Sequence, residues 1–112
     1  MKEVIEALSE FVAARDWEQF HNPKDLAIAI SIEAAELNEL YLWKDINELS
    51  EVPAERVKEE LADVLAYAIM LAKKYNFDIK EIVLEKIKRN AEKYPIEKSK
   101  GSALKYNQIA RD

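Results

Sequence analysis

Two almost wholly apolar runs, residues 26–37 and 61–72, carry carboxylates where a soluble helix has no wet face for them. In the first, Glu33 and Glu36 stand among ten residues that are apolar apart from Ser31. In the second, Asp63 is the only charge among twelve residues, and Glu60 stands just ahead of the run. Glu33 and Glu36, like Glu60 and Asp63, are spaced i,i+3, which puts both members of a pair on one side of a helix. An ionised carboxylate withdrawn from water is costly unless it is paired or binds a cation. Two such pairs in 112 residues read as the two halves of one cation site.

The rest of the sequence supports a single all-helical domain over residues 1–112. One Gly and three Pro leave little turn material for a chain of many short strands. Residues 2–14 place Val4, Ile5, Leu8, Phe11 and Val12 on one stripe. Asn22 followed by Pro23 marks the start of a second helix, since Asn caps and Pro fits the first helical position. That helix is expected to run to about Trp43, with Leu26, Ile30, Glu33, Leu37 and Leu40 on its core stripe. Pro53 opens a third helix to about Tyr75. Its expected core stripe is Val57, Leu61, Val64, Ala68 and Leu71, with Glu60, Asp63, Tyr67 and Met70 alongside. A short helical turn at residues 46–49 is expected between the two. Asp78, with Glu81 three residues on, caps a fourth helix that Pro95 ends. Residues 96–112 form a tail that orders against a partner subunit or stays flexible.

Helices two and three are apolar almost all round, so a monomer of four helices leaves them partly uncovered. A homodimer or homotetramer follows as an expectation. The net charge of −5 argues against a nucleic acid polymer as partner. The longest apolar run is too short to span a bilayer, and the N-terminus does not resemble a signal peptide. Cytoplasmic location and no membrane partner are expected. There is no Cys, which excludes thiolate metal sites and disulfides.

Acids spaced i,i+3 are common on solvated helix faces, and Glu39, Glu48, Glu51 and Glu55 belong to that ordinary class. Glu33, Glu36, Glu60 and Asp63 are read instead as metal ligands. An all-oxygen set suits Mg²⁺ first and Mn²⁺ next. Di-iron carboxylate bundles use Glu-x-x-His pairs, and the one histidine, His21, lies outside both motifs. Metal held this way suits activation of water against a phosphoanhydride. Lys86, Arg89, Asn90 and Lys93 gather within two turns of the fourth helix, either as phosphate ligands or as a basic face favoured by the helix dipole. Trp17, Phe20, His21, Trp43 and Tyr67 could line a nucleobase pocket or simply pack.

These residues resemble the all-α nucleoside triphosphate pyrophosphohydrolases, the MazG-like superfamily. The signature is Glu33-Ala34-Ala35-Glu36 followed by Glu60-Leu61-Ala62-Asp63. Residues 16–26, 40–44 and 86–95 are similar to the dCTP pyrophosphatase branch, as are Lys100-Gly101-Ser102-Ala103 and Lys105-Tyr106. The resemblance implies a four-helix bundle-type domain that assembles into a homo-oligomer. It implies Mg²⁺-dependent cleavage of a nucleoside triphosphate to monophosphate and pyrophosphate, as in house-cleaning of the nucleotide pool. Glu33, Glu36, Glu60 and Asp63 become metal ligands, with Glu36 the expected proton acceptor. Trp17, Trp43 and Tyr67 become base-pocket candidates, and Lys86, Asn90 and Lys93 phosphate and pocket-closing candidates; His21 is expected as a further substrate contact. The competing reading is a non-enzymatic helical oligomerisation or partner-binding module, whose acids pair with Lys and Arg between helices.

Overall fold

A computed structural model describes residues 1–103 of the chain. Every regular element among these residues is helical. The helices are α1 (Lys2–Ala14), α2 (Pro23–Glu39), α3 (Ala54–Lys74), α4 (Ile79–Lys93) and the short α5 (Ile96–Ser99), with 3-10 turns at Glu18–Phe20 and Ile46–Glu51. The expected all-α class and the four long helices are present, and a fifth, four-residue helix is added after Pro95. The chain divides into two compact units, Met1–Asn76 and Phe77–Asp112. Lys105 and Tyr106, which contribute to the resemblance, lie outside the described residues.

The predicted caps form. The Asn22 side-chain oxygen accepts a hydrogen bond from the Asp25 backbone N–H at 2.9 Å, with Pro23 in the first turn of α2. Asp78 does the same for Glu81 at 3.0 Å, at the head of α4. Each cap satisfies a donor that the helix leaves without an internal partner.

In the first unit, α2 packs mainly on α3, and α1 makes a lighter contact with α3. The α2 stripe falls where its spacing predicts. Leu26 is fully buried, and Ile30, Glu33, Leu37 and Leu40 are half-buried. The register of α3 differs from expectation. Its half-buried line is Val57, Glu60, Val64, Tyr67 and Leu71, while Leu61 and Ala68 turn outward. The helix carries two adjacent stripes, and the one it packs with runs between them, taking Val57, Val64 and Leu71 from one and Glu60 and Tyr67 from the other. Glu33 and Glu60 are thereby both drawn inward.

The outward residues form an apolar surface. Ile28 and Ile32 on α2 and Leu61 and Leu65 on α3 are each 43–53% exposed. Four residues, Val12, Leu26, Ile69 and Ala72, are the whole buried apolar core of the described residues. That is a small core for helices so apolar in sequence. No helix among the described residues is long and apolar enough to cross a membrane.

The end of α2 is the second departure. The helix stops at Glu39, and the chain closes through three-residue hydrogen-bonded turns from Leu40 to Leu37, Tyr41 to Asn38 and Leu42 to Glu39. Trp43 then takes a left-handed backbone conformation with φ 64°. A bulky residue seldom adopts this conformation, so the helix cannot continue through it. The turn leaves Trp43 90% exposed.

Candidate functional site

The α2–α3 packing brings Glu33, Glu36 and Glu60 together. A carboxylate oxygen from each lies within 4.8 Å of the others. The i,i+3 step puts Glu33 and Glu36 on one face of α2, and the α3 register brings Glu60 to meet them. Glu33 and Glu60 are half-buried and Glu36 is exposed. One oxygen of Glu33 and one of Glu60 are buried without a hydrogen-bond partner. None of the ion pairs among the described residues includes these three acids, so the pairing with Lys or Arg that a purely structural role needs is missing.

Their electrostatics show the cost of this arrangement. Hydrogen bonding to Glu33, followed by the charge of Glu33, raises the Glu36 carboxyl above its ordinary value of 4.5. Desolvation adds to the rise, and the hydrogen bond with Glu60 partly offsets it. Glu60 is also raised, first by desolvation, then by the charge of Glu36, the hydrogen bond to it and the charge of Asp63. Arg56 pulls the other way. Clustered like charges that also lose water hold protons more tightly, and a bound cation reverses both effects. Three oxygen donors, two of them with a buried, partnerless atom, fit a hard divalent cation.

A pH dependence follows. The folded, metal-free protein holds these protons more tightly than the unfolded chain does. Stability therefore falls as pH rises above 4.5 through the raised values, because the unfolded chain ionises first. Asp25 works in a different window. Its pKa is lowered, first by the hydrogen bond from Asn22, so its contribution is lost only as pH falls below its ordinary 3.8. The chelated protein is expected to melt at a lower temperature at pH 7.5 than at pH 5.5, and Glu36→Gln to flatten that slope. Thermal melts of the two proteins check this; equal slopes contradict it.

Asp63 lies one turn beyond Glu60, outside the three-acid group. It lines an adjoining groove of about 670 Å³ together with Phe11, Trp17, His21, Tyr67 and Met70. Three of the predicted base-pocket residues thus share one groove. Trp17 stands edge-on to Phe11 with ring centroids 5.6 Å apart, and His21 edge-on to Tyr67 at 6.5 Å. Trp43 is not among the groove's lining residues. Lys86, Asn90 and Lys93 lie on α4, in the second unit, where Arg89 pairs with Glu85 at 3.3 Å.

On the other side of the acids is a polar recess of about 670 Å³ lined by Glu36, Glu60, Lys44, Glu51 and Arg56, among others. Lys44 and Arg56 were not singled out from the sequence. Arg56 carries the one available signal, since it stands four residues before Glu60 and so on the same helix face.

A profile described as the MazG-like family matches residues 28–109, which include both acid pairs. The chain belongs to the MazG-like family. It is 43% identical over 108 residues to mouse (Mus musculus) dCTP pyrophosphatase 1, covering 92% of this chain and 64% of that protein. It is 41% identical over 106 residues to the human (Homo sapiens) protein of the same name, covering 90% of this chain and 62% of the relative. The chain therefore spans less than two thirds of the length of these relatives. Among solved structures it is similar to a pyrophosphatase from Archaeoglobus fulgidus DSM 4304. The TM-score is 0.81 at 40% identity, over 85% of this chain and 92% of that one. Both acid pairs of this MazG-like chain lie within the region that matches the family.

Proposed function

We propose that this MazG-like chain is a Mg²⁺-dependent nucleoside triphosphate pyrophosphohydrolase, with dCTP or a modified nucleotide as the favoured substrate. The carrying observation is the pair of buried, partnerless oxygens of Glu33 and Glu60 beside Glu36, between an aromatic groove and a polar recess that holds Lys44 and Arg56. The names of the relatives support the same chemistry and the preference for dCTP. A setting in the cytoplasmic nucleotide pool goes with that activity.

Glu33, Glu36 and Glu60 would hold Mg²⁺, with Asp63, one turn along α3, as the fourth ligand. When bound, Mg²⁺ (or Mn²⁺ in its place) neutralises phosphoryl oxygens and makes water a stronger nucleophile. The chain's own groups do the rest. Glu36 is the accessible member of the cluster, and one of its oxygens takes the proton from the attacking water. The water oxygen bonds to the α-phosphorus, the bond from that phosphorus to the bridging oxygen breaks, and pyrophosphate leaves. Trp17, His21 and Tyr67 offer flat surfaces for the base in the groove they line. Trp43, exposed on a left-handed turn, is the candidate to close on the nucleotide, and its exposure leaves it free to do so. Lys86, Asn90 and Lys93 on α4 remain the candidates that the family resemblance offers for phosphate and closing contacts.

The open faces of α2 and α3 would be covered in a homodimer or homotetramer. Ile28, Ile32, Leu61 and Leu65 are apolar, exposed and on the two helices that also carry the acids. Association there would bury them and add rigidity to the cluster.

The test is a panel of ordinary and modified nucleoside triphosphates with Mg²⁺, scored for pyrophosphate and monophosphate. Equimolar release of both is expected from at least one substrate. Release of orthophosphate, or no turnover of any member, contradicts the reading. Trp43→Ala is expected to raise KM for the preferred nucleotide by about tenfold, with a smaller fall in kcat. A uniform loss for every base, with a lowered melting temperature, would instead mark a folding defect.

A further inference from the structure

Arg56, Glu60, Asp63 and Tyr67 follow one another along a single face of α3, at steps of four, three and four residues. At a 1.5 Å rise per residue, the line from Arg56 to Tyr67 is about 16 Å long. Its features are ordered. Tyr67 and Asp63 belong to the aromatic groove, Glu60 to the acid cluster, and Arg56 to the polar recess beyond it. A base, an α-phosphate and a pyrophosphate follow one another in the same order in an extended nucleoside triphosphate, over a comparable length.

The recess is suited to its end of that molecule. It is lined by Glu36, Glu39, Glu51 and Glu60 and by two cations, Lys44 and Arg56. Lys44 is held at 3.5 Å from Glu51, an ion pair that fixes it at the recess wall. Arg56 makes no ion pair or side-chain hydrogen bond among the described residues, although its charge is felt by Glu60. A polyanion entering beside four carboxylates is repelled unless cations meet it. A guanidinium is well shaped for this task, because it can give two parallel hydrogen bonds to phosphate oxygens.

We propose that Arg56, together with Lys44 of the same recess, binds the leaving pyrophosphate end of the substrate, an inference that rests on the pyrophosphohydrolase reading above. It fixes the direction in which the nucleotide lies along α3, with base toward Tyr67 and terminal phosphates toward the start of the helix. Arg56 is a substrate-binding residue here and has no part in proton transfer.

Product inhibition tests this directly, because the two products occupy opposite ends of the line. Arg56→Gln is expected to raise KM for the nucleoside triphosphate and to weaken inhibition by inorganic pyrophosphate, each by roughly tenfold or more. Inhibition by the nucleoside monophosphate should stay within about twofold of wild type, and Arg56→Lys should recover part of the loss. Arg56 is exposed, so the melting temperature should hold. Unchanged pyrophosphate inhibition in active Arg56→Gln protein overturns the inference alone. So does an equal weakening of inhibition by both products, the result expected if Arg56 only balances the charge of the acids. Wild-type protein that turns over no nucleoside triphosphate overturns this inference together with the proposed function.

Discussion

Replacing Glu33 with glutamine is expected to lower turnover by on the order of a thousandfold while leaving the helices intact. Glu33 sits on the α2 stripe between Ile30 and Leu37, where the helix pattern otherwise places apolar residues. One of its oxygens is buried and has no hydrogen-bond partner. Glutamine keeps the shape but removes the charge that a cation needs. The same change should raise the melting temperature of the metal-free protein, because Glu33 is the main source of the raised Glu36 carboxyl. A rise in melting temperature alongside lost activity separates a functional acid from a structural one. Circular dichroism and pyrophosphate release on the same sample measure both. Near-native activity in Glu33→Gln, or a lower melting temperature without metal, contradicts this assignment.

Removing metal from the wild type is the second large effect. Chelation is expected to abolish pyrophosphate release, and added Mg²⁺ or Mn²⁺ to restore it. The melting temperature at pH 7.5 should rise with Mg²⁺, since a cation bound only to the folded state stabilises it by mass action. At pH 5.5 the gain should be smaller, because Glu36 and Glu60, whose carboxyls are raised, hold more protons and a cation must displace them. Iron retained on purification, with no response to Mg²⁺, would point to redox chemistry instead. The single histidine argues against that, since His21 lines the aromatic groove and is no part of the acid cluster.

Much of this was legible in the sequence because it depends on local rules. Asn22, Pro23 and Asp78 announce helix starts through cap chemistry that involves only their own neighbours. The i,i+3 steps of Glu33–Glu36 and Glu60–Asp63 place each pair on one face whatever surrounds the helix. What the sequence left hidden depends on how helices meet. On α3 the two apolar stripes are nearly equal, so periodicity cannot say that packing takes the line through Glu60 and Tyr67 and turns Leu61 outward. The same register separates Asp63 from the three-acid group and gives it to the groove. Trp43 belongs to the helical pattern by composition, and only the backbone shows the left-handed turn that exposes it. Nothing in the sequence places Arg56 beside Glu36 and Lys44; the fold brings all three to one recess.

The acids between α2 and α3 are proposed to form a cation site. Titration of the wild type and Glu60→Gln with Mn²⁺, followed by electron paramagnetic resonance, tests it most directly. Wild-type protein should bind Mn²⁺ at sub-millimolar concentration and release it to excess Mg²⁺, and Glu60→Gln should bind it more weakly by at least roughly tenfold. Equal binding by the two proteins, or none by the wild type, would contradict the account.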